Sequence, residues 1–416
     1  MGDGQFVNIL LINHYAGSLD MGMEFRPYYF AREWVRMGHR VHIAAADYSH
    51  LRIHNPVISR DFQREIMDGI IYHWVKAGSY EGNGVKRAVS MFRFVEKLWM
   101  HAEQIARCWK PDVVITSSTY HLDTWAGQRI AGICGAKLIH EVHDMWPATL
   151  TELGRMSRRH PFVMAVQAAE NSAYRNSDKI VSLLPFAEKY MIRHGMAAGK
   201  FVYLPNGIAL EDWERIQSLP REHQLALEQL KKNGNFIAGY FGGHAQSNAL
   251  DTLLEAAKEL RDSKIRFVMA GDGVEKQRLI KRAQNEKLEN VMFLPSVSKQ
   301  AVPALLSYFD CCLVCGSDSS LYRFGISPNK LYDSMMAAKP VICAVHTKDF
   351  VLGRYQCGWM VKPQDGRILA QAVKKMYQLP EVQRDRMGKN GKQAVLEHFT
   401  YGILAQKFEQ IFHTEG

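Results

Sequence analysis

Short runs of consecutive apolar residues alternate along the chain with longer stretches in which apolar positions recur every three or four residues. In the first half the apolar runs are Val7–Ile12, Val41–Ala46, Ile70–Trp74, Asp112–Thr116, Lys137–Glu141 and Lys179–Leu183. Because these runs are continuously apolar rather than alternating, they predict strands that are covered on both faces, as in a parallel sheet. The stretches between most of them predict helices, for instance Phe25–Met37, which is followed by Gly38.

The same alternation starts again after the polar segment Glu211–Asn235. The second series of predicted strands is Phe236–Phe241, Ile265–Ala270, Val291–Leu294, Cys311–Cys315, Pro340–Ala344 and Gly358–Val361. Two strand-and-helix series of similar length predict an α/β protein with two doubly wound domains. Ligands of such sheets bind beyond the carboxyl ends of the strands, so we expect a site in a cleft between the domains.

The composition is that of an ordinary globular protein, with 47% hydrophobic and 23% charged residues. The net charge of +10 is divided evenly between the two halves, which leaves a polyanion or an acidic membrane open as a partner. The seven cysteines lack a framework spacing, which favours a reducing compartment. Cys312 and Cys315 lie in an apolar run without a second pair of zinc ligands, so we expect no metal site.

The first residues, MGDGQFVNILLINHY, contain an acidic residue and only a short apolar run. No apolar run in the chain reaches the ~18 residues that a membrane-spanning helix needs. We therefore expect neither a signal peptide nor a transmembrane helix, and a cytoplasmic protein.

Glycine and polar residues follow the predicted strands of the second series and precede one predicted helix. These residues are Gly242, Gly243, His244 and Asn248 after one strand, Gly271 and Asp272 after the next, and Ser327 and Asn329 beside Pro328 and Lys330. Glycine lets a ligand approach the backbone closely, and N–H groups at a helix start favour an anion. Each feature alone also fits an ordinary turn or a capped helix, but together they favour a nucleotide site.

In the first series, candidate residues follow two predicted strands. His143 and Asp144 follow Lys137–Glu141, and a histidine at that place is either structural or catalytic. The loop after the first strand supplies Asn13, Gly17 and Gly22, and the start of the next helix supplies Glu24 and Arg26.

Several segments resemble, in order and spacing, the retaining glycosyltransferases of family 4, which have the GT-B fold. They are GHRVHIAAA, YLPNGIALEDW, NALDTLLEAAKEL, MAGDGVEKQRL, NVMFLPSVSKQAVPALLSYFDCCLV and SMMAAKPVI. NHYAGS, EFRPYYFAREW, EVHDMWP and SPNKLYD resemble a bacterial branch that adds amino sugars such as N-acetylfucosamine to lipid-linked O-antigen or capsule precursors. The resemblance implies an acceptor-side domain at 1–213, a nucleotide-sugar domain at 214–398, and a last helix, 399–416, that packs back toward the first domain.

The resemblance also implies roles for single residues. Asp333 takes the place of the carboxylate that binds the ribose, and the loop from Leu294 to Val297 lies at the base, which we expect to be uracil. His143 matches a histidine that contacts the donor sugar. The acceptor-side residues are then Asn13, Gly17, Gly22, Glu24, Arg26 and Asp144.

This sequence departs from the family pattern at three positions. A family glutamate that binds the donor sugar falls on Gly325, and the arginine and lysine that hold the diphosphate fall on Gly243 and Asn248. Lys330 is then the cation expected at the diphosphate, with His143 as the second catalytic residue. In a retaining front-face displacement the leaving phosphate itself takes the acceptor's proton, and the GT-B fold works without a metal.

The implied function is transfer of a sugar from a UDP-sugar, as co-substrate, to a polyprenyl-diphosphate-linked glycan, with no separate cofactor. A nucleotide-sugar epimerase of the same fold is an alternative. A non-enzymatic basic protein that binds membranes or nucleic acid is another, although no nucleic-acid motif is present.

The segment Lys86–Lys110 mixes aromatic and basic residues. Phe92, Val95, Trp99, Ala102, Ala106 and Trp109 recur at spacings of three and four, and Lys86, Arg87, Arg93 and Lys97 accompany them. Interfacial helices show this mixture, so we expect the first domain to dock on an anionic membrane, the inner face of the cytoplasmic membrane. A core-packing helix with a solvated basic edge is the alternative.

Overall fold

The structure is a computed structural model that describes residues 6–22, 25–82, 84–348 and 351–414. It divides into two compact units: Met1–Pro205 with Tyr401–Gly416, and Asn206–Thr400. Each unit contains one sheet with helices packed against it.

The first unit contains an eight-stranded sheet in the order β3-β4-β2-β1-β5-β6-β7-β8. Its strands are β1 (Asn8–Ile12), β2 (Arg40–Ala46), β3 (Gln63–Met67), β4 (Ile70–Val75), β5 (Val113–Thr116), β6 (Lys137–Val142), β7 (Lys179–Ser182) and β8 (Phe201–Tyr203). Neighbouring strands are parallel except β3, which pairs with β4 in the antiparallel direction. The buried strands match the predicted apolar runs, and the edge strands β3 and β8 were not predicted.

The helices of the first unit cover this sheet. They are α1 (Arg26–Arg36), α2 (Val85–Met100), α3 (Ala102–Trp109), α4 (Thr124–Cys134), α5 (Ala148–Glu152), α6 (Pro161–Asn176), α7 (Glu188–Arg193) and α16 (Tyr401–His413). The last helix, α16, packs against α1, where the ring centroids of Trp34 and Phe408 lie 5.1 Å apart.

The second unit contains a six-stranded sheet in the order β11-β10-β9-β12-β13-β14, with every neighbouring pair parallel. Its strands are β9 (Phe236–Phe241), β10 (Ile265–Ala270), β11 (Val291–Leu294), β12 (Cys311–Cys315), β13 (Val341–Ala344) and β14 (Gly358–Val361). Its helices are α8 (Leu210–Glu214), α9 (Arg221–Lys232), α10 (Asp251–Glu259), α11 (Lys276–Asn285), α12 (Val302–Ser307), α13 (Asn329–Met336), α14 (Gly366–Gln378) and α15 (Glu381–His398). Single 3₁₀ turns are formed by Gln246–Asn248, Lys299–Ala301 and Ser320–Phe324.

The division between the units falls after Pro205, whereas the sequence placed it after residue 213. The difference has a local cause. The backbone N–H of Asn206 donates to Ser327 Oγ at 2.8 Å, and Ile208 forms a parallel bridge with Thr400. These bonds tie the segment after Pro205 to the second unit.

The segment Lys86–Lys110 forms two helices, α2 and α3, because the backbone of His101, with φ −95° and ψ 10°, departs from helical dihedral angles. Met91, Phe94 and Leu98 are buried, as the core-packing alternative requires. Lys97, one of the predicted basic residues, pairs with Asp61 at 2.7 Å, and docking on a membrane stays a prediction. Among the described residues, no helix is both long enough and apolar enough to cross a bilayer.

Candidate functional site

Two glycine-containing loops pack against each other at the carboxyl ends of β9 and β10. The backbone N–H of Gly242 donates to Ala270 O, and both Gly242 and Gly271 have positive φ angles, 118° and 151°. A Cβ atom on Gly271 would lie 1.9 Å from the carbonyl oxygen of Gly242. Only glycine permits this backbone contact, so the predicted glycine positions fix the shape of the loops.

Lys330 extends from the first turn of α13 to the loop that follows β9. Its ammonium donates to the hydroxyl of Tyr240 at 2.9 Å and lies 4.4 Å from the centre of that ring. A Cβ on Gly242 would lie 3.3 Å from Lys330 Nζ. In the described ranges no carboxylate pairs with Lys330, and burial lowers its pKa to about 8. The sequence therefore identified a cation that lies beside the glycine loop without an acidic partner.

His244 lies in the same loop and is fully buried. Neither of its ring nitrogens has a hydrogen-bond partner among the described residues. Burial lowers its pKa to about 4, the charge of Lys276 adds to this effect, and Asp272 opposes it. The imidazole is therefore neutral near pH 7. Lys276, which the sequence analysis did not single out, donates to the carbonyl of Gly271 at 2.7 Å.

The other predicted residues near these loops are polar, and most of them already form hydrogen bonds within the unit. Asn248 donates to the carbonyl of Gly243 at 2.9 Å, and its Oδ1 lies 3.5 Å from Lys330 Nζ. Asp272 is exposed, and its carbonyl accepts the N–H of His244. Asn329 is exposed at the first position of α13. Basic side chains and unbonded polar atoms thus gather at one edge of the sheet, which suits an anionic ligand.

Asp333 is buried on α13, and its two carboxylate oxygens accept hydrogen bonds from Lys299 at 2.6 and 2.7 Å. Lys299 follows the loop that begins at Leu294, whose carbonyl accepts the N–H of Gly271 at 3.1 Å. Val297 in that loop is half-buried. The ion pair therefore connects the predicted ribose carboxylate to the predicted base-binding loop.

Ser327 is held in place by a residue far away in the sequence. Its Oγ accepts the backbone N–H of Asn206 at 2.8 Å, and its carbonyl accepts from the Asn206 side chain at 2.7 Å. Pro328, with ψ 137°, occupies the N-cap position of α13, so the helix begins at Asn329.

In the first unit, His143 belongs to a buried hydrogen-bonded network at the carboxyl ends of β5 and β6. Its Nε2 lies 2.8 Å from Ser117 Oγ and 3.0 Å from Glu141 Oε2. Burial alone would raise the pKa of Glu141, but Arg26 and His143 outweigh it and hold the pKa well below its usual range. The charged carboxylate therefore fixes the orientation of the imidazole, as an orienting acid does in other sites.

Arg26 contributes to this network from the start of α1. Its guanidinium pairs with Glu141 at 2.9 Å and donates to the carbonyls of Leu204 and Pro205. Asn13 donates from its side chain to the carbonyl of Ser117 at 2.8 Å. Both residues, predicted on the acceptor side, are buried, and their side chains are hydrogen bonded within the first unit.

The remaining predicted residues of the first unit shape its loops. The carbonyl of Gly17 accepts from the hydroxyl of Tyr72 at 2.7 Å, and Gly22 has a φ of 88°. Asp144 accepts from Thr149 and from the N–H of Met145, and burial raises its pKa despite these bonds. Glu24 lies outside the described residues.

Sequence reasoning missed five residues at these edges: Ser117, Glu141, Asn206, Lys276 and Lys299. Ser117 directly follows a predicted strand, and that position was the available signal. Glu141 was counted as the last residue of a strand, and its side chain was not considered. In the described ranges no group of three or more histidine, cysteine or acidic residues is arranged to hold a metal ion.

Comparisons with known proteins agree with this two-part architecture. Residues 21–207 match the family described as Glycosyl transferase 4-like domain, and residues 225–394 match Glycosyl transferases group 1. A relative named for colanic acid biosynthesis, the glycosyl transferase WcaI of Escherichia coli (strain K12), is 29% identical over 213 residues. That alignment covers 50% of this chain and 51% of the relative, so the chain spans about half the length of the curated relative it matches.

Two solved structures resemble the whole fold. Sucrose-phosphate synthase (tll1590) from Thermosynechococcus elongatus has a TM-score of 0.74 at 17% identity and covers 97% of this chain and 98% of its own. Alr3699/HepE from Anabaena, crystallised in complex with UDP and glucose, has a TM-score of 0.67 at 15% identity and covers 98% and 100%. These similarities confirm the prediction of two Rossmann-like α/β domains of the GT-B type.

Proposed function

We propose that this chain, which carries a glycosyl transferase 4-like domain followed by a glycosyl transferases group 1 domain, transfers a sugar from a nucleoside diphosphate to a glycan. The observation that carries the proposal is Lys330, a cation without an acidic partner in the described ranges, beside the glycine loop of the second unit. A diphosphate supplies the charge that this arrangement lacks.

UDP is the nucleotide that we assign to the donor. The crystal structure of the similar Alr3699/HepE contains UDP and glucose, which supports this choice. In our proposal Asp333 binds the ribose hydroxyls and the Leu294–Val297 loop packs against the base. Gly242, Gly243 and His244 then border the diphosphate, together with Asn248 and the Gly271–Asp272 turn.

In the proposed reaction the bond between the sugar and the diphosphate breaks as the acceptor hydroxyl attacks the sugar from the face that the diphosphate leaves. Charge builds on the leaving diphosphate, where the N–H groups at the start of α13 and the ammonium of Lys330 stabilise it. The departing phosphate oxygen takes the proton of the acceptor, so no protein base is required. Lys330 supplies the positive charge in this scheme, which is why we propose a metal-independent transfer. His143, oriented by Glu141, contacts the donor sugar and not the nucleotide.

The sugar that we propose is an N-acetylated amino sugar such as N-acetylfucosamine, and the acceptor is a polyprenyl-diphosphate-linked glycan of a bacterial surface polysaccharide, such as an O-antigen or capsule. The name of the relative WcaI refers to colanic acid biosynthesis, which supports this choice. Because the acceptor is a lipid, we place the enzyme at the inner face of the cytoplasmic membrane as a peripheral protein.

A nucleotide-sugar screen tests the proposal. We expect one or a few UDP-sugars to raise the melting temperature of the protein, and the same sugars to release UDP only when a lipid-linked acceptor is added. Mass spectrometry of the lipid should show one added sugar. Interconversion of the sugar without any acceptor would identify an epimerase instead, and binding without turnover of any donor would identify a scaffold.

A further inference from the structure

Aromatic side chains form a continuous row over the surface of the first unit, starting at the carboxyl edge of its sheet. Trp146, in the loop after β6, lies 6.3 Å from Phe162 of α6, measured between ring centroids. Phe162 in turn lies 6.2 Å from Phe92 of α2. The row therefore connects the loop that carries His143 with the outer side of α2.

Beyond Phe92 the row opens into an apolar groove of about 410 Å³ between α2 and α4. The groove is lined by Phe92, Val95, Glu96, Trp99 and Trp125. Phe92 is 41% exposed and Trp99 is 47% exposed, so neither ring belongs to the core. The volume lies within the range that small-molecule sites usually have.

The other end of the row is cationic. The guanidinium of Arg87 lies 5.8 Å from the centre of the Trp146 ring and donates to the hydroxyl of Tyr15 at 3.2 Å. The ring of His50 lies 5.8 Å from the ring of Tyr15. Aromatic and cationic groups thus stand together at the edge of the sheet where the acceptor loops lie.

A buried cation, Arg52, lies near this cluster: burial lowers the pKa of His14, and the charges of Arg52 and Arg87 both lower it further. Arg52 is buried, and its guanidinium donates to backbone carbonyls, among them that of Ala46 at 2.8 Å. In the described ranges no carboxylate forms an ion pair with it. Because a buried cation without an ion-pair partner costs free energy, an anion bound near it gains stabilisation.

We infer that the first unit binds the lipid carrier of the acceptor as one amphiphile, with its diphosphate at Arg87 and its first isoprenoid units in the groove of Phe92 and Trp99. This inference rests on the proposed lipid-linked acceptor. A bare glycan does not need an apolar groove, and a free phosphate does not fill one. A polyprenyl diphosphate has both an anionic head and an unsaturated apolar chain, so it matches both ends of the row.

The test is titration of the full-length protein with farnesyl diphosphate, farnesol and inorganic diphosphate, read by calorimetry. We expect farnesyl diphosphate to bind most tightly. Arg87→Gln should weaken its binding by about tenfold, the loss of one charged contact. Trp99→Ser should weaken farnesyl diphosphate by a similar factor and leave inorganic diphosphate unchanged, because the apolar contact is lost. Arg93→Gln and Val89→Ser, exposed positions of the same helix, are matched controls that should change neither ligand.

Three results would overturn the inference. The first is that the wild type binds farnesyl diphosphate and inorganic diphosphate with equal affinity. The second is that the wild type and Trp99→Ser bind farnesyl diphosphate with equal affinity. The third is that the variants lose binding to vesicles free of polyprenyl lipids to the same extent as they lose binding to farnesyl diphosphate. The last result would make the groove a general membrane contact. Each of these leaves sugar transfer to a lipid-linked acceptor measurable, so failure here is distinguishable from failure of the proposed function.

Discussion

Lys299 Nζ lies 2.6 Å from Oδ1 and 2.7 Å from Oδ2 of Asp333, so the carboxylate proposed to bind ribose is already held by a cation. An ionised carboxylate offers about four acceptor sites, and one ammonium does not fill them. We therefore expect ribose hydroxyls to join the pair without displacing Lys299. We expect Lys299 to fix the carboxylate in the orientation that the ribose requires.

From this we predict that Asp333→Ala weakens UDP and uridine equally, by ~1.5–3 kcal/mol, since hydrogen bonds to a charged group are lost. Calorimetry with both ligands measures this. The control is Asp310→Ala, which removes another ion-paired aspartate of the same unit, partnered by Lys231 at 2.8 Å. Asp310 precedes β12 and so lies at the amino ends of the strands, whereas the proposed site lies at their carboxyl ends. UDP affinity should therefore not change. Unchanged affinity in Asp333→Ala would remove Asp333 from the site.

The strands were predictable from the sequence to the extent that burial determines them. The central strands are apolar because helices cover both faces, as for β9, whose residues are all buried. Strand β3, QREIM, was not predicted because it lies at the edge of its sheet and its middle residues are exposed. Strand β8 has only three residues, which is too short a run to show a pattern.

The glycine-containing loops of the site were predictable from the sequence, whereas the ion pairs between its charged side chains were not. Glycines after strand ends are visible in the sequence, and Gly242 and Gly271 were found that way. The partners of Asp333 and Arg26 were not found, because their ion pairs join residues 34 and 115 positions apart in the chain. The order of the strands in the sheet determines which cation pairs with which carboxylate, and that order cannot be read from a local sequence pattern.

Lys330 gives a prediction about pH. Burial lowers its pKa in the free protein to about 8. The charged form therefore costs stability in the unliganded protein below pH 8, and that cost is relieved progressively as the pH rises from about 8 towards 10.5, the ordinary pKa of lysine. The proposed contact with UDP requires the charged form, so UDP affinity should fall above pH 8, by up to about tenfold for each further pH unit. Proton uptake on binding should rise over the same range.

Calorimetry between pH 7 and 9.5 in buffers of different ionisation enthalpy measures both quantities. Lys330→Met should bind UDP weakly with no slope in this range, and uridine affinity should change little because uridine carries no diphosphate. Lys330→Arg stays charged throughout and should also lose the slope. The assignment would be contradicted if Lys330→Met weakened uridine as much as UDP.

His143 should affect turnover and not nucleotide affinity. Its Nε2 is oriented by Glu141 and Ser117, and in our proposal the imidazole contacts the donor sugar. We predict that His143→Ala lowers kcat roughly 100-fold, the usual cost of a lost polar contact in a transition state, with UDP affinity unchanged. Glu141→Gln should lower kcat less. His194→Ala, at the end of α7, is the control, and wild-type turnover in His143→Ala would make His143 a structural residue.

Membrane docking gives the last prediction, and the structure changes which residues carry it. Lys97 is paired with Asp61, and Arg87 faces the loops, so neither is available to a lipid surface in the way the sequence suggested. Lys86, Arg158 and Arg159 are exposed on segments that border the aromatic row. Basic residues at an anionic surface contribute ~1 kcal/mol each, within about a Debye length.

We therefore predict that replacing Lys86, Arg158 and Arg159 with glutamate abolishes sedimentation with anionic vesicles at low salt and raises the concentration of lipid acceptor needed for transfer. Transfer to an acceptor in detergent micelles should be unaffected, because the proposed donor site lies in the other unit. The control reverses the same number of charges at Arg386, Lys389 and Lys392, which are exposed on α15. If both triple variants sediment as the wild type does, basic residues of the first unit do not hold the protein on the membrane. If both triple variants lose sedimentation equally, binding to anionic vesicles depends on the net charge of the protein and not on the basic residues of the first unit.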